Sequence, residues 1–170
     1  MGDKTQLLSL VLAARFRKPW PIVAGILAAT LLNHSAAGAL GAWIAHEFGL
    51  ELMTRVAGAS FIAMAAWALI PDRLDESAAG AATHGGVFLT TCVMFFLAEM
   101  GDKTQLATLA LAARYPSLVA VVAGTTLGML LADVPVVFFG EAIAKRVPLK
   151  GVRALTAAAF AVLGVIALLS

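Results

Sequence analysis

The hexapeptide Met-Gly-Asp-Lys-Thr-Gln opens this 170-residue chain and returns unchanged at Met100–Gln105. The return is part of a longer register. Sliding the sequence by 99 residues aligns 1–45 with 100–144 without a gap, and 20 of the 45 pairs are identical. Arg15 meets Arg114, Val23-Ala24-Gly25 meets Val122-Ala123-Gly124, and Leu31-Leu32 meets Leu130-Leu131. A chain made of two copies of one unit is constrained to a repeat architecture in which the copies pack on each other.

The medium follows from composition. Hydrophobic residues make up 61% and charged residues 13%, against about a quarter charged in soluble domains. A water-exposed globule and a disordered chain are both excluded. A formal charge of +2 gives no footprint for nucleic acid, and the single Cys92 supports neither a disulfide framework nor a thiolate zinc site. The chain reads as an all-α integral membrane protein. With roughly 20 apolar residues needed to cross about 30 Å of hydrocarbon, the spans are Trp20–Ala45, Leu52–Pro71, Gly86–Arg114, Ser117–Gly140 and Gly151–Leu169. Gly2–Phe16 covers only about 22 Å at about 1.5 Å per residue and is too short to span.

Two three-helix halves result, residues 1–71 and 86–170, joined by the acidic, then Ala/Gly-rich, linker 72–85. In the second copy the hexapeptide is preceded by Gly86–Glu99, the first half of its helix, whereas the first copy starts at the hexapeptide itself. An intact repeat therefore places a similar half-helix, ending in a partner for Glu99, ahead of Met1. We expect a start codon set too late, the alternative being a shortened chain.

Lys and Arg near the span ends set orientation. Arg15, Arg17, Lys18, Arg73, Lys145, Arg146, Lys150 and Arg153 fall on one side, and only Arg55 and Arg114 on the other. The first side is expected in the cytoplasm of a cell with this chain in its inner membrane, so the linker is cytoplasmic and the C-terminus outside. With three spans per copy the second copy is inverted, with a substrate site near the midplane, as in secondary transporters.

Ionisable residues inside hydrocarbon cost roughly 2.5–3.5 kcal/mol each on insertion scales. Glu99, Asp102 and Lys103 fall midway along Gly86–Arg114, and a continuous helix would set Glu99, Asp102 and Leu106 on one face. Gly101 allows close approach or a loosened helix. Asp3 is the matching acid of the first copy. Thr5, Gln6, Thr104 and Gln105 add oxygen donors, while Lys4 and Lys103 tune the charge. Glu99, Asp102 and Asp3 form a candidate site for a hard divalent cation, which prefers oxygen to His or Cys. Carboxyl groups removed from water also take up protons when the cation leaves, which is a physical route to exchange. A purely structural pairing of these acids with Lys4 and Lys103 leaves the doubled hexapeptide unaccounted for.

Glu99-Met-Gly-Asp-Lys-Thr104 resembles the Glu-x-Gly-Asp-(Lys/Arg)-(Ser/Thr) signature of the GDT-type cation/proton exchangers, and the likeness covers essentially the whole chain. Members carry the signature twice, on the first and fourth of six helices, around an acidic central loop. The resemblance implies export of Mn²⁺ or Ca²⁺, as substrate rather than cofactor, driven by inward proton movement. By position it carries over to Glu99, Asp102, Lys103 and Thr104, and to Gly2, Asp3, Lys4 and Thr5; the first motif's Glu has no counterpart here. No motif supports an enzyme. Competing readings are an exporter of a small organic cation or amino acid, and a non-transporting scaffold or inactive remnant. Outside the hexapeptides, Asp133 and its repeat mate His34 are intramembrane groups suited either to a proton relay or to a polar contact between helices.

Overall fold

The computed structural model describes residues 4–70, 86–146 and 149–169, and all regular structure among them is helical. Seven helices follow in order: α1 Lys4–Phe16, α2 Pro19–Phe48, α3 Leu50–Ala68, α4 Gly86–Glu99, α5 Lys103–Arg114, α6 Leu118–Arg146 and α7 Leu149–Leu169. The 99-residue register reappears in their boundaries. Helices beginning at Lys4, Pro19 and Leu50 are matched by helices beginning at Lys103, Leu118 and Leu149. The linker 72–85 and Asp3 lie outside the described residues.

The two copies leave their short helix by different chemistry at one junction. After α1, Arg17 takes a left-handed φ of 51° and donates its N–H to the Ala13 carbonyl. Pro19 then opens α2, where a missing N–H costs nothing. After α5, Tyr115 is extended (φ −107°, ψ 135°), as the residue before a proline prefers. Ser117 then caps α6, its hydroxyl accepting the Ala120 N–H at 3.3 Å.

One expectation needs correcting. Gly86–Arg114 is not a continuous helix: it breaks at Met100–Asp102 into α4 and α5. Gly101 sits at φ +74°, open to glycine at little cost but strained for any side chain. Glu99 and Asp102 therefore do not share a helical face; Glu99 ends one helix and Asp102 stands at the N-cap of the next. The expected six helices become seven described ones for this reason. Helix α6 carries Pro135 and loses helical geometry at Phe139 (φ −127°, ψ 20°), one turn beyond it.

The chain divides into two compact units, each drawing on both copies. The first takes Met1–Asn33, Pro71–Met100 and Thr126–Leu149; the second takes His34–Ile70, Gly101–Thr125 and Lys150–Ser170. In the first unit α1 buries Thr5, Leu8, Ser9 and Leu12, a stripe at helical spacing. Leu8 and Leu12 join Ile22, Ile26 and Ala29 of α2, Met94 and Phe95 of α4, and Val137 of α6. In the second unit Ala57, Phe61 and Met64 of α3 meet Ala107 and Ala110 of α5, and Phe160 of α7 stacks on Phe61 at 6.1 Å.

Small residues set these approaches, as they do where apolar surroundings offer no gain for burying leucine. A Cβ on Gly41 would collide with the Leu109 carbonyl, and one on Gly140 with the Leu10 side chain. The two contacts are mates: shifting by 99 turns Gly41 into Gly140 and Leu10 into Leu109. Helices Pro19–Phe48 and Leu118–Gly140 are long and apolar enough to cross a membrane, while Gly86–Glu99 and Ala154–Leu169 are shorter apolar pieces. Val119, Leu131, Leu155 and Leu169 are largely exposed, a surface suited to hydrocarbon rather than water.

Candidate functional site

Glu99 is 1% exposed at the C-terminal end of α4. Its Oε1 accepts the Thr30 hydroxyl at 2.9 Å and its Oε2 accepts the Asn33 amide at 3.1 Å. Thr30 and Asn33 are three apart on α2 and so project from one face. The same Asn33 nitrogen donates to the Phe96 carbonyl at 3.0 Å, tying α2 to the last turn of α4. Gly25 makes that approach possible, since a Cβ there would lie 2.7 Å from Thr91 Cβ and 2.8 Å from the Phe88 carbonyl.

Thr30 and Asn33 are neutral donors, which stabilise a carboxylate by hydrogen bonding and not by opposite charge. The carbonyl end of α4 carries partial negative charge as well, and adds to the field of Glu99. A buried acid at the negative end of a half-helix favours either a cation or a proton, the arrangement by which broken helices serve ion sites in transporters.

Asp102 is 2% exposed, with extended geometry (φ −81°, ψ 161°), at the positive end of α5. Its carbonyl accepts the Leu106 N–H at 3.1 Å, which starts the helix, but its side chain makes no capping bond. The Thr104 hydroxyl donates to Oδ2 at 3.4 Å. The carboxylate is thus stabilised by the helix dipole while its oxygens are not spent on capping. Gln105, expected as an oxygen donor, reaches back so that its Oε1 accepts the Gly101 N–H at 2.8 Å. That bond holds the break in shape, reaching the N–H one residue before the N-cap that a capping box would use.

Lys103 is 9% exposed, with its ammonium 5.6 Å from the centroid of the Trp67 ring. Trp67 also lines an apolar cleft of about 320 Å³ with residues such as Met53, Met64 and Leu109. The cleft offers no carboxylate and is unsuited to a cation.

In the first copy Lys4 and Gln6 are half-buried, and Thr5 is fully buried, its hydroxyl without a partner among the described residues. Asp133 and His34 are both fully buried. Ser9 donates to Asp133 Oδ1 at 3.0 Å in the first unit. His34 belongs to the second unit, and neither ring nitrogen finds a partner among the described residues.

Among the described residues no group of three His, Cys, Asp or Glu side chains converges on a metal position. Thr30, Asn33 and Ser9 are the functional candidates that reading by motif passes over. Their signal is polarity inside an apolar helix: Thr30, Asn33 and His34 form one stripe on a span that is otherwise almost wholly apolar.

Comparison with known proteins identifies the family. The model of the divalent cation/proton antiporter GDT1 family matches residues 1–76 and 87–170. A Vibrio cholerae protein (serotype O1, strain O395) named "Putative manganese exporter" is 48% identical over 161 residues, 94% of this chain and 80% of that protein. No solved structure matches. With a doubled Gly-Asp-Lys-Thr motif, a buried Glu99 and a family match over nearly its whole length, the chain belongs to the GDT1 family of divalent cation/proton antiporters, multi-pass membrane transporters rather than enzymes.

Proposed function

We propose that this chain exports Mn²⁺ from the cytoplasm in exchange for protons, with Glu99, Asp102 and Asp3 as the carboxylates that take up cation and proton in turn. The observation that carries the reading is the buried Glu99 carboxylate, held by the Thr30 hydroxyl and the Asn33 amide at the broken end of a half-helix. Intramembrane acids of this kind are rare and mark ion and proton pathways. Manganese rather than calcium is supported by the name of the Vibrio cholerae relative; the oxygens themselves suit both ions.

Thr5 and Thr104 supply hydroxyl oxygens, while Gln6 and Gln105 shape the loops at the motifs. Lys4 and Lys103 lower the repulsion among the acids when the metal has left. Asp133, with Ser9, and His34 serve proton movement. The halves 1–71 and 86–170 act as inverted repeats in a bacterial inner membrane, with the linker cytoplasmic and the C-terminus outside. Two observations support that inversion: the exchange of the Gly41–Leu109 and Gly140–Leu10 contacts between copies, and eight basic residues against two at the span ends.

The test is flux in proteoliposomes with a trapped pH dye. An imposed Mn²⁺ gradient drives proton counterflow in the unmodified chain, and Glu99→Gln and Asp102→Asn abolish it in folded protein. Ca²⁺ in place of Mn²⁺ gives the smaller response. Flux that survives both substitutions refutes the assignment of the acids.

A further inference from the structure

The packing of α3 on α5 ends in an aromatic ring that packing alone does not require. Ala57, Phe61 and Met64 of α3 meet Ala107 and Ala110 of α5, both helices lying in the second unit. These positions recur every three or four residues on each helix. One turn further along, the α3 stripe reaches Trp67; one turn back, the α5 stripe reaches Lys103. The register therefore brings the indole to the ammonium, which lies 5.6 Å from the ring centroid. Shifting by 99 turns Trp67 into Ile166, so the repeat does not dictate a ring there. The adjoining cleft wall includes Met53, Met64, Leu106 and Leu109, and an aliphatic side chain would continue it. What a ring adds is a negative face for a cation.

We propose that Trp67 is a positioning residue of the exchange site, the seat onto which the Lys103 ammonium withdraws when Mn²⁺ takes the Asp102 carboxylate. Lysine carries its charge on a flexible four-carbon stem and so can serve two positions. Lys103 follows Asp102 directly in sequence and is 9% exposed, so water offers its ammonium little alternative. Without the ring, the ammonium stays with the carboxylate and competes with the incoming cation. With it, the ammonium keeps a partner of modest strength, strong enough to hold a buried charge and weak enough to release it. The inference rests on the reading of Asp102 as a cation ligand, and deepens it by naming what draws the built-in countercharge aside.

Two measurements test the contact and its consequence separately. Trp20→Phe and Trp43→Phe leave Trp67 as the single indole. In that background Lys103→Met shifts the Trp67 emission, because a charge leaves the face of its ring. Arg55→Gln, about three turns away on the same helix, does not. Mn²⁺ binding to purified, monodisperse protein is then followed by loss of the free-ion electron paramagnetic resonance signal. Trp67→Leu weakens binding by about three- to tenfold, the scale of a cation–π contact, while Trp67→Phe keeps a π face and stays within about twofold. Combined with Lys103→Met, Trp67→Leu has no further effect, since the competing ammonium is gone. An emission that ignores Lys103, or a loss of affinity that persists in Lys103→Met, overturns the proposal and makes Trp67 a packing residue. No Mn²⁺ binding in the unmodified chain refutes the metal reading itself, and the positioning role with it, even where the emission shift remains.

Discussion

The two copies carry the same motif in different surroundings. Glu99 is held by Thr30 and Asn33 of α2, yet the equivalent positions of α6 are Met129 and Ala132, which offer no side-chain donor. His34 likewise has an acid, Asp133, as its mate. Ser9 donates across to Asp133, whereas its mate Thr108 turns back to the Thr104 carbonyl of its own helix at 2.8 Å. Duplication thus repeats the charged hexapeptide and the helix boundaries but not the hydrogen bonds around them. The same motif therefore stands among unequal hydrogen-bond partners in the two copies.

The largest effect is expected where that inequality is removed. A hydrogen bond to a charged group is worth about 1.5–3 kcal/mol, so Asn33→Ala should lower Mn²⁺-driven proton flux by roughly ten- to a hundredfold. Thr30→Val should act in the same direction. Ala132→Gly and Met129→Leu, at the mate positions, should leave flux within about twofold, as changes outside any bonded partner usually do. Flux that falls equally in both sets would erase the distinction between the copies.

A smaller effect is expected in stability, and with opposite signs. Gly25→Ala drives a methyl to within 2.7 Å of Thr91 Cβ and 2.8 Å of a backbone carbonyl. Overpacking of that kind costs about 1–3 kcal/mol. Gly124→Ala meets open space on a helix and should gain up to about 1 kcal/mol from propensity alone. Melting in detergent should therefore fall for the first and rise for the second. A drop in both would show that the second glycine is packed as tightly as the first.

Much of this was legible from residues alone, for identifiable reasons. Hydropathy and the 99-residue register located the starts of α2, α3, α6 and α7 within a few residues, because apolar length and repeat spacing are local properties. The break at Met100–Asp102 was not legible. The flanking residues Phe96–Glu99 and Lys103–Leu106 are all compatible with a helix, and Gly101 is tolerated inside one; only its left-handed φ of 74° shows the interruption. The seat of Glu99 was hidden for a different reason. Thr30 and Asn33 lie 69 and 66 residues away in sequence, and nothing in a hydropathy profile says which carboxylate a polar stripe will meet. Asp3, the third expected acid, lies outside the described residues.

The smallest predicted effect isolates one hydrogen bond. Ser9→Ala removes a donor from the buried Asp133 Oδ1, which stays in place to feel the loss. A buried acceptor deprived of a partner costs about 1–3 kcal/mol, the low end applying where other contacts remain. Thr108→Val removes a hydroxyl that only doubles a bond the backbone already makes. The Thr108 N–H continues to serve the Thr104 carbonyl through the helix itself, so nothing is orphaned and valine keeps the shape. Its change should stay within about 0.5 kcal/mol. Measured side by side, a clear fall in melting temperature for the first and none for the second would show that the Ser9 hydroxyl stabilises the buried Asp133 in a way its mate Thr108 does not. Equal small shifts would mean that Asp133 draws its stabilisation from its other contacts.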